Sequence, residues 1–195
     1  MQRTHPLQDH PEFSVRRYPG CVEYRVENWR IARDGTRRVL RGYGWSWFDA
    51  VVPVLAAVYW HKICASQYHL AAFGIALAIY VYFKCTQVLW ESVLAIPSLG
   101  LQLETHRGLP NIPLFVSRRF IPLIYLQDFI INEGLHRWNV RYYLAAIQNT
   151  ATEGFALKVA YENILPYFPV LLEVYRGVYD ALLDNEDDRG DQQPT

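Results

Sequence analysis

Cysteine is scarce in this chain of 195 residues, which has three: Cys21, Cys64 and Cys85. They lie far apart and none follows residue 85, so they form neither a disulfide framework nor a CxxC pair of metal ligands. The sequence therefore predicts that the larger, C-terminal part folds in a reducing compartment. The first 44 residues also lack an apolar run, and we expect no secretory signal in them.

The chain also lacks net charge, because 19 Lys and Arg residues balance 19 Asp and Glu residues. This balance argues against a generally basic nucleic-acid binder, and a hydrophobic content of 51% argues against a disordered chain. The neutral total conceals an uneven distribution: residues 1–44 carry +4, residues 45–90 carry +1 and residues 91–195 carry −5. The length fits one compact domain with an appendage.

The middle segment, residues 45–90, is the most apolar part of the chain. Lys62 is the single formal charge between Ala50 and Phe83. A continuous helix over those 34 residues would be ~51 Å long, which exceeds the ~30 Å hydrocarbon core of a bilayer. The 46 residues of the whole segment suit two spans with a turn at Lys62. We therefore predict a transmembrane or membrane-embedded helical hairpin.

Two other interpretations of this segment stay open. Residues 63–83, uncharged throughout, are long enough for a single span, with residues 45–60 lying in the membrane interface. A pair of buried core helices in a soluble protein also has this composition. Asp49 lies four residues after Trp45, a position that favours an interfacial carboxylate over a functional acid inside the membrane.

Basic residues flank the apolar segment and predict its orientation. Arg33, Arg37, Arg38 and Arg41 precede it, and Lys84 follows it. The positive-inside rule then places both termini in the cytoplasm. We expect residues 1–44 to form a basic cytoplasmic arm, for which an ordinary disordered arm is the alternative.

The hydrophobic period changes from that of helices to that of strands after residue 90. Val88–Ile96 and the alternating segment 99–105 flank Pro97-Ser98, which predicts a strand, a tight turn and a second strand. Further strands are predicted at 120–125, 127–132, 139–148 and 155–160. Apolar residues at helical spacing then predict a C-terminal helix: Phe168, Leu171, Tyr175, Val178 and Leu182.

These elements together predict an α+β fold. A membrane helical hairpin is followed by an antiparallel β domain at residues 91–183, which resembles a pleckstrin-homology (PH) barrel closed by the C-terminal helix. Residues 184–195 are rich in acids and are predicted to be a disordered tail.

Motifs of catalysis and metal binding are missing from the sequence. It contains no Gly-rich phosphate loop, GxSxG elbow or HExxH pair, and its six histidines are dispersed. Glu153 and Glu162 are a possible acid pair of a glycosyltransferase, but nothing around them indicates a sugar-nucleotide site. We therefore assign no catalytic, cofactor-binding or metal-binding residues, and the composition favours a binding or scaffolding module.

Two sequence blocks resemble a known family. Residues 91–102 (ESVLAIPSLGLQ) and 128–133 (DFIINE) are similar to signatures of the PIG-H family, the H subunit of phosphatidylinositol N-acetylglucosaminyltransferase. Matches at Tyr142-Tyr143-Leu144 and at residues 172–176 extend the resemblance over about 91–180. The signature residues are Glu91, Ser98, Leu99, Gly100, Gln102, Asp128, Ile131, Asn132 and Glu133.

The resemblance implies a non-catalytic subunit of an endoplasmic-reticulum complex. That complex transfers N-acetylglucosamine from UDP-N-acetylglucosamine to phosphatidylinositol, the first step of glycosylphosphatidylinositol (GPI) anchor biosynthesis. The implied partners are the catalytic A subunit, the other subunits and membrane lipid, with no cofactor and no nucleic acid. The signature residues would then be structural or contact a partner.

Two other function classes remain open at this stage. A stand-alone phosphoinositide-binding module would hold a headgroup with Arg107, Arg118 and Arg119. An enzyme acting alone would need a catalytic constellation that the sequence does not supply.

Overall fold

The computed structural model describes residues 2–31, 39–110, 112–136, 138–150 and 154–182. Arg33, Arg37 and Arg38, Glu153 and the predicted acidic tail lie outside the described residues.

The largest sheet has six antiparallel strands in the order β1-β2-β3-β6-β7-β8. Its strands are β1 (Gln2–Thr4), β2 (Phe13–Tyr18), β3 (Cys21–Glu27), β6 (Val88–Ile96), β7 (Gly100–Leu109) and β8 (Ile112–Pro122). A small separate ladder pairs β4 (Trp29–Ile31) with β5 (Val39–Arg41). The predicted strands around Pro97-Ser98 are confirmed as β6 and β7.

Residues 2–27 differ from the expected arm. β3 pairs with β6 in register Tyr24↔Val93, so this segment belongs to the main sheet. Phe13, Val15 and Val26 are buried in its core. Charge counting hid these strands because their arginines and glutamates, apart from Arg17, occupy the alternate positions, on the other face of the sheet.

The second sheet has three antiparallel strands in the order β11-β10-β9. They are β9 (Leu126–His136), β10 (Asn139–Thr150) and β11 (Gly154–Ala160), in agreement with the predicted strands at 127–132, 139–148 and 155–160. The prediction of a strand at 120–125 is wrong in its second half. Pro122 ends β8 and Leu123–Tyr125 form a 3-10 turn, because proline has no N–H to continue the ladder.

The C-terminal helix α3 spans Phe168–Leu182, as the period predicts. Its buried stripe is shifted from the prediction, because Phe168 is exposed and Tyr175 is partly buried. The buried residues are Val170, Leu171, Val174, Val178 and Leu182. The core lies between this stripe and the inner faces of the sheets, so an α+β fold with antiparallel sheets and a C-terminal helix is confirmed.

Two apolar helices lie between β5 and β6. The first, α1 (Val51–Cys64), has 14 residues and is ~21 Å long, and the second, α2 (Gln67–Cys85), has 19. They are joined at Ala65 and Ser66, so Lys62 lies in the last turn of α1 and not in the connection. None of the described side chains of α2 is buried. In the described part of the chain, α2 is the one helix long and apolar enough to cross a membrane.

Candidate functional site

The first signature block spans most of β6, the turn after it and the start of β7. Ser98 has a φ of 69° and Gly100 a φ of 138°. A Cβ atom at Gly100 would lie 2.2 Å from the Ile121 carbonyl oxygen, so both the backbone angle and the space require glycine. Leu99 is exposed, while its backbone oxygen accepts the Leu123 N–H at 2.9 Å. These residues fix the turn that brings β7 beside β6.

Glu91 is the most deeply buried acid of the signatures, with 2% of its surface exposed. Its carboxylate accepts the backbone N–H of Ile164 at 3.0 Å and the side-chain amide of Asn163 at 2.6 Å. The Asn163 N–H and the Thr105 hydroxyl donate to the same carboxylate. Glu91 therefore anchors the loop that leads into α3.

A buried tyrosine supports the same loop. The Tyr161 hydroxyl donates to the Tyr24 carbonyl oxygen at 2.8 Å, which joins the loop to β3. Burial, with the nearby Glu91 carboxylate, raises the pKa of Tyr161 well above its usual value. The phenol therefore stays protonated and keeps this hydrogen bond.

The second signature block lies on β9, in the three-stranded sheet. Asp128 and Asn132 each accept the backbone N–H of the following residue, at 2.7 and 2.8 Å. Ile131 packs against the core. Glu133 is exposed, and its hydrogen bond with Tyr142 raises the pKa of that phenol. The two signature blocks thus occupy different sheets.

The solvent-facing side of the six-stranded sheet carries a polar cluster around Glu104. Its carboxylate accepts hydrogen bonds from Gln102 Nε2 at 2.6 Å and Arg118 Nε at 2.8 Å, and lies 2.9 Å from His106 Nε2. Burial alone would raise the pKa of Glu104, but these three partners outweigh it and the pKa is lowered. The side chain of the signature residue Gln102 therefore helps to hold the Glu104 carboxylate in place.

An aromatic stack continues this cluster across β6 to β3. The Arg25 guanidinium carbon lies 3.7 Å from the centre of the Trp90 ring, and Trp90 stacks on His106 at 4.6 Å. Sequence analysis missed this arrangement, because Arg25 on β3 lies more than 60 residues before Trp90, and the hairpin of β6 and β7 alone does not indicate it. The strand register relates the three residues. Trp90 lies opposite His106 on β7 and opposite Glu27 on β3, two residues from Arg25.

The two apolar helices meet at their polar ends. Asp49, just before α1, lies 2.7 Å from the Lys84 ammonium near the end of α2 and accepts the Tyr80 hydroxyl at 2.8 Å. Lys84 also donates to the Gly44 carbonyl oxygen at 3.3 Å. Asp49 thus joins the start of α1 to the end of α2.

The three arginines of the phosphoinositide hypothesis do not converge. Arg118 binds Glu104, while Arg107 binds Asn163 at 3.2 Å and Arg119 binds Glu162 at 3.4 Å. Arg118 and Arg119 are consecutive on β8, so they project to opposite faces. In the described residues we also find no group of three His, Cys, Asp or Glu side chains that could hold a metal ion.

Comparison with known proteins relates the segment from β6 to the start of α3 to a known family. Residues 92–168 match the family model of the PIG-H component of the GPI-GlcNAc transferase complex. The chain is 25% identical over 174 residues to phosphatidylinositol N-acetylglucosaminyltransferase subunit gpi15 of Schizosaccharomyces pombe, covering 88% of this chain and 98% of that protein. The H subunit of the same transferase from Bos taurus is 26% identical, over 86% of this chain and 85% of that protein. The human H subunit is 26% identical over 66% of this chain and 69% of its own length.

No solved structure matches the chain. Both sequence blocks that predicted the family, apart from Glu91, lie within the matched region. The match confirms the predicted resemblance. Over residues 92–168 the chain is therefore similar to the PIG-H component of the GPI-GlcNAc transferase complex, as the two blocks predict.

Proposed function

We propose that this chain is a subunit of the complex that transfers N-acetylglucosamine to phosphatidylinositol in the first step of GPI-anchor biosynthesis. The observation that carries the proposal is the family match over residues 92–168, which includes most of both signature blocks. Similarity to subunits of that transferase from yeast and cattle extends well beyond the matched domain, over 86–88% of the chain.

Within that complex, we assign the chain a scaffolding role that supports the catalytic A subunit. The contacts of the signature residues support this role. Glu91 holds the loop before α3 and Gly100 permits the β6–β7 turn, so both residues maintain the fold. Asn132 and Glu133 are exposed on β9 and are available to a partner.

We further propose that α1 and α2 form a membrane hairpin in the endoplasmic reticulum, with both chain termini in the cytoplasm. The exposed apolar surface of α2 and the two-residue connection at Ala65 support this arrangement. Asp49 and Lys84 would then lie together at the cytoplasmic interface.

The β domain is proposed to be PH-like, with the helix pair inserted into it. The strand order supports this: β3, β6, β7 and β8 form a four-stranded meander, β9–β11 form a three-stranded one, and α3 follows. In this arrangement the PH-like strands begin with β3 and not at residue 91, β1 and β2 extend the same sheet, and α1 and α2 interrupt the PH-like strands after the first of them.

The scaffolding role is tested by separating assembly from transfer. Cells that lack this subunit should lose transfer because the complex does not assemble, and the chain should restore both. The variants Asp128→Asn, Glu133→Gln, Glu153→Gln and Glu162→Gln should each keep transfer wherever affinity purification shows an assembled complex. A loss of ~10²-fold or more in rate with normal assembly would assign a chemical step to this chain and overturn the scaffold proposal.

A further inference from the structure

The end of the β7–β8 hairpin carries an exposed apolar surface, which we call the hairpin-tip surface. It consists of the exposed Ile112, Leu114 and Phe115 with the half-buried Leu109 and Pro110. Ile112 is 57% exposed, Leu114 46% and Phe115 55%. Leu109 pairs with Ile112 and Arg107 pairs with Phe115, so Leu109, Ile112 and Phe115 lie on one face of the hairpin and form an apolar patch of the kind that marks an interaction surface.

The hairpin is attached to the end of α2. Two residues, Thr86 and Gln87, separate α2 from β6. The Gly108 N–H, one residue before the tip, donates to the Gln87 carbonyl oxygen at 2.9 Å. A linker of two residues spans at most ~7 Å, so the tip remains close to the point where α2 ends.

Groups typical of a membrane interface lie at the same place. Trp45 is 67% exposed, and its ring centre lies 5.7 Å from the Lys84 ammonium. The Gly44 N–H donates to the Gln87 side chain at 2.8 Å. An open depression of about 510 Å³ connects these groups to the hairpin, since Trp45, Gln87 and Pro110 all line it. Tryptophan and lysine are enriched at the boundary between lipid headgroups and acyl chains.

We propose that the hairpin-tip surface inserts into the lipid interface beside α2 and docks the β domain on the bilayer. The inference rests on the proposed membrane location of α2, which fixes the depth of Gln87. At ~3.4 Å per residue, Phe120 lies ~17 Å beyond Phe115 along β8 and stays clear of the lipid. Lipid contact therefore begins at the tip and ends before Phe120.

Site-specific photo-crosslinking tests the proposal on the full chain. The photoreactive amino acid benzoylphenylalanine replaces Phe115, Phe120 or Ile75, and each purified variant is reconstituted in phosphatidylcholine–phosphatidylinositol vesicles. Phe115 and Phe120 are a matched pair, because both are phenylalanines on β8 and are 55% and 49% exposed. Ile75, 63% exposed in α2, reports whether that helix is in the membrane.

Mass spectrometry of the irradiated chains distinguishes the outcomes. We expect lipid adducts at positions 75 and 115 and at least a tenfold lower yield at position 120. Adducts at 75 without adducts at 115 would overturn the insertion and leave the proposed span intact. The absence of lipid adducts at position 75 would overturn the proposed membrane location of α2 and, with it, this inference.

The same probes in native membranes distinguish lipid from protein. A protein adduct at 115 in place of the lipid adduct would assign the hairpin-tip surface to a subunit contact and overturn lipid insertion.

Discussion

Glu91 on β6 binds Asn163, 72 residues later, through both the backbone and the side chain of the asparagine. The side-chain amide lies 2.6 Å from Oε1 and the backbone N–H lies 3.2 Å from Oε2. This pair joins β6, a central strand of the large sheet, to the loop that positions α3. One carboxylate thereby determines where the last helix packs on the core.

Glu91→Gln is expected to lower the free energy of unfolding by about 2–3 kcal/mol. The amide group of glutamine is a donor, so it faces backbone N–H groups that then lack an acceptor. Denaturant unfolding of the detergent-solubilised chain measures the change. Glu162→Gln is the control, because that side chain is 58% exposed and the change should cost less than about 0.5 kcal/mol. Equal stability of the two variants would contradict the anchoring role.

Gly100→Ala is expected to destabilise the domain by roughly 3 kcal/mol or more, since the new Cβ would meet the Ile121 carbonyl oxygen. Gly20 is a matched control with a φ of 89°, where a Cβ atom would have no neighbour within 4 Å. Gly20→Ala should therefore cost only the backbone strain, about 1 kcal/mol. Thermal unfolding of both variants gives the difference. Similar losses in the two would show that β7 and β8 can separate at this point without cost.

Sequence patterns predicted the strands and helices that bury one face and expose the other. Segment 99–105 alternates because one face of β7 is buried, and the stripe on α3 recurs because one face of the helix packs on the sheets. β8 lacked such a signal. Its residues from Ile112 to Phe120 are all exposed, so no alternation between buried and exposed positions constrained them.

Long-range contacts were beyond the reach of local patterns. The signature prediction named Glu91, but nothing near it in sequence indicates Asn163 as its partner. The Trp90–His106 stack likewise depends on strand register. β2 and β3 were missed because a charge count gives equal weight to both faces of a strand.

Leu101 and Leu99 are expected to respond oppositely to the same substitution. Both leucines lie in the alternating segment 99–105, but Leu101 is fully buried and Leu99 is 61% exposed in the turn. Leu101→Asp places an unpaired carboxylate in the core and should cost roughly 4 kcal/mol or more. Leu99→Asp should change stability by less than about 0.5 kcal/mol. Urea unfolding midpoints measure both, and a tolerant Leu101→Asp would refute the core assignment of β7.

Alkaline pH is expected to weaken the fold through Tyr24. Burial is the main reason that the pKa of Tyr24 is raised to about 12, although Arg17 nearby opposes the shift. The folded-state pKa exceeds the unfolded value of about 10. The contribution of Tyr24 to the free energy of unfolding is therefore fully present below pH 10 and is lost as the pH rises towards 12. At pH 11.5 this loss amounts to about 2 kcal/mol.

Tyr24→Phe should remove that part of the pH dependence. Unfolding free energies at pH 9 and pH 11.5 should fall less in the variant than in the parent chain, by about 2 kcal/mol. Tyr179→Phe is the control for the substitution itself, because it removes a phenol hydroxyl from a side chain that is 41% exposed on α3. An unchanged profile in Tyr24→Phe would show that the Tyr24 phenol does not titrate with unfolding.

Protease protection is expected to distinguish a membrane hairpin from helices that lie in the interface. Epitope tags are placed at each terminus and between Ala65 and Ser66, the two residues that join α1 to α2. In sealed microsomes with the cytoplasmic side outward, both terminal tags should be cleaved and the internal tag should stay intact until detergent is added. The reason is that α2 is long enough to cross, and Asp49 and Lys84 bring the start and the end of the helix pair to one side. Cleavage of all three tags without detergent would favour a helix pair that lies in the interface, and protection of the C-terminal tag would favour a single crossing.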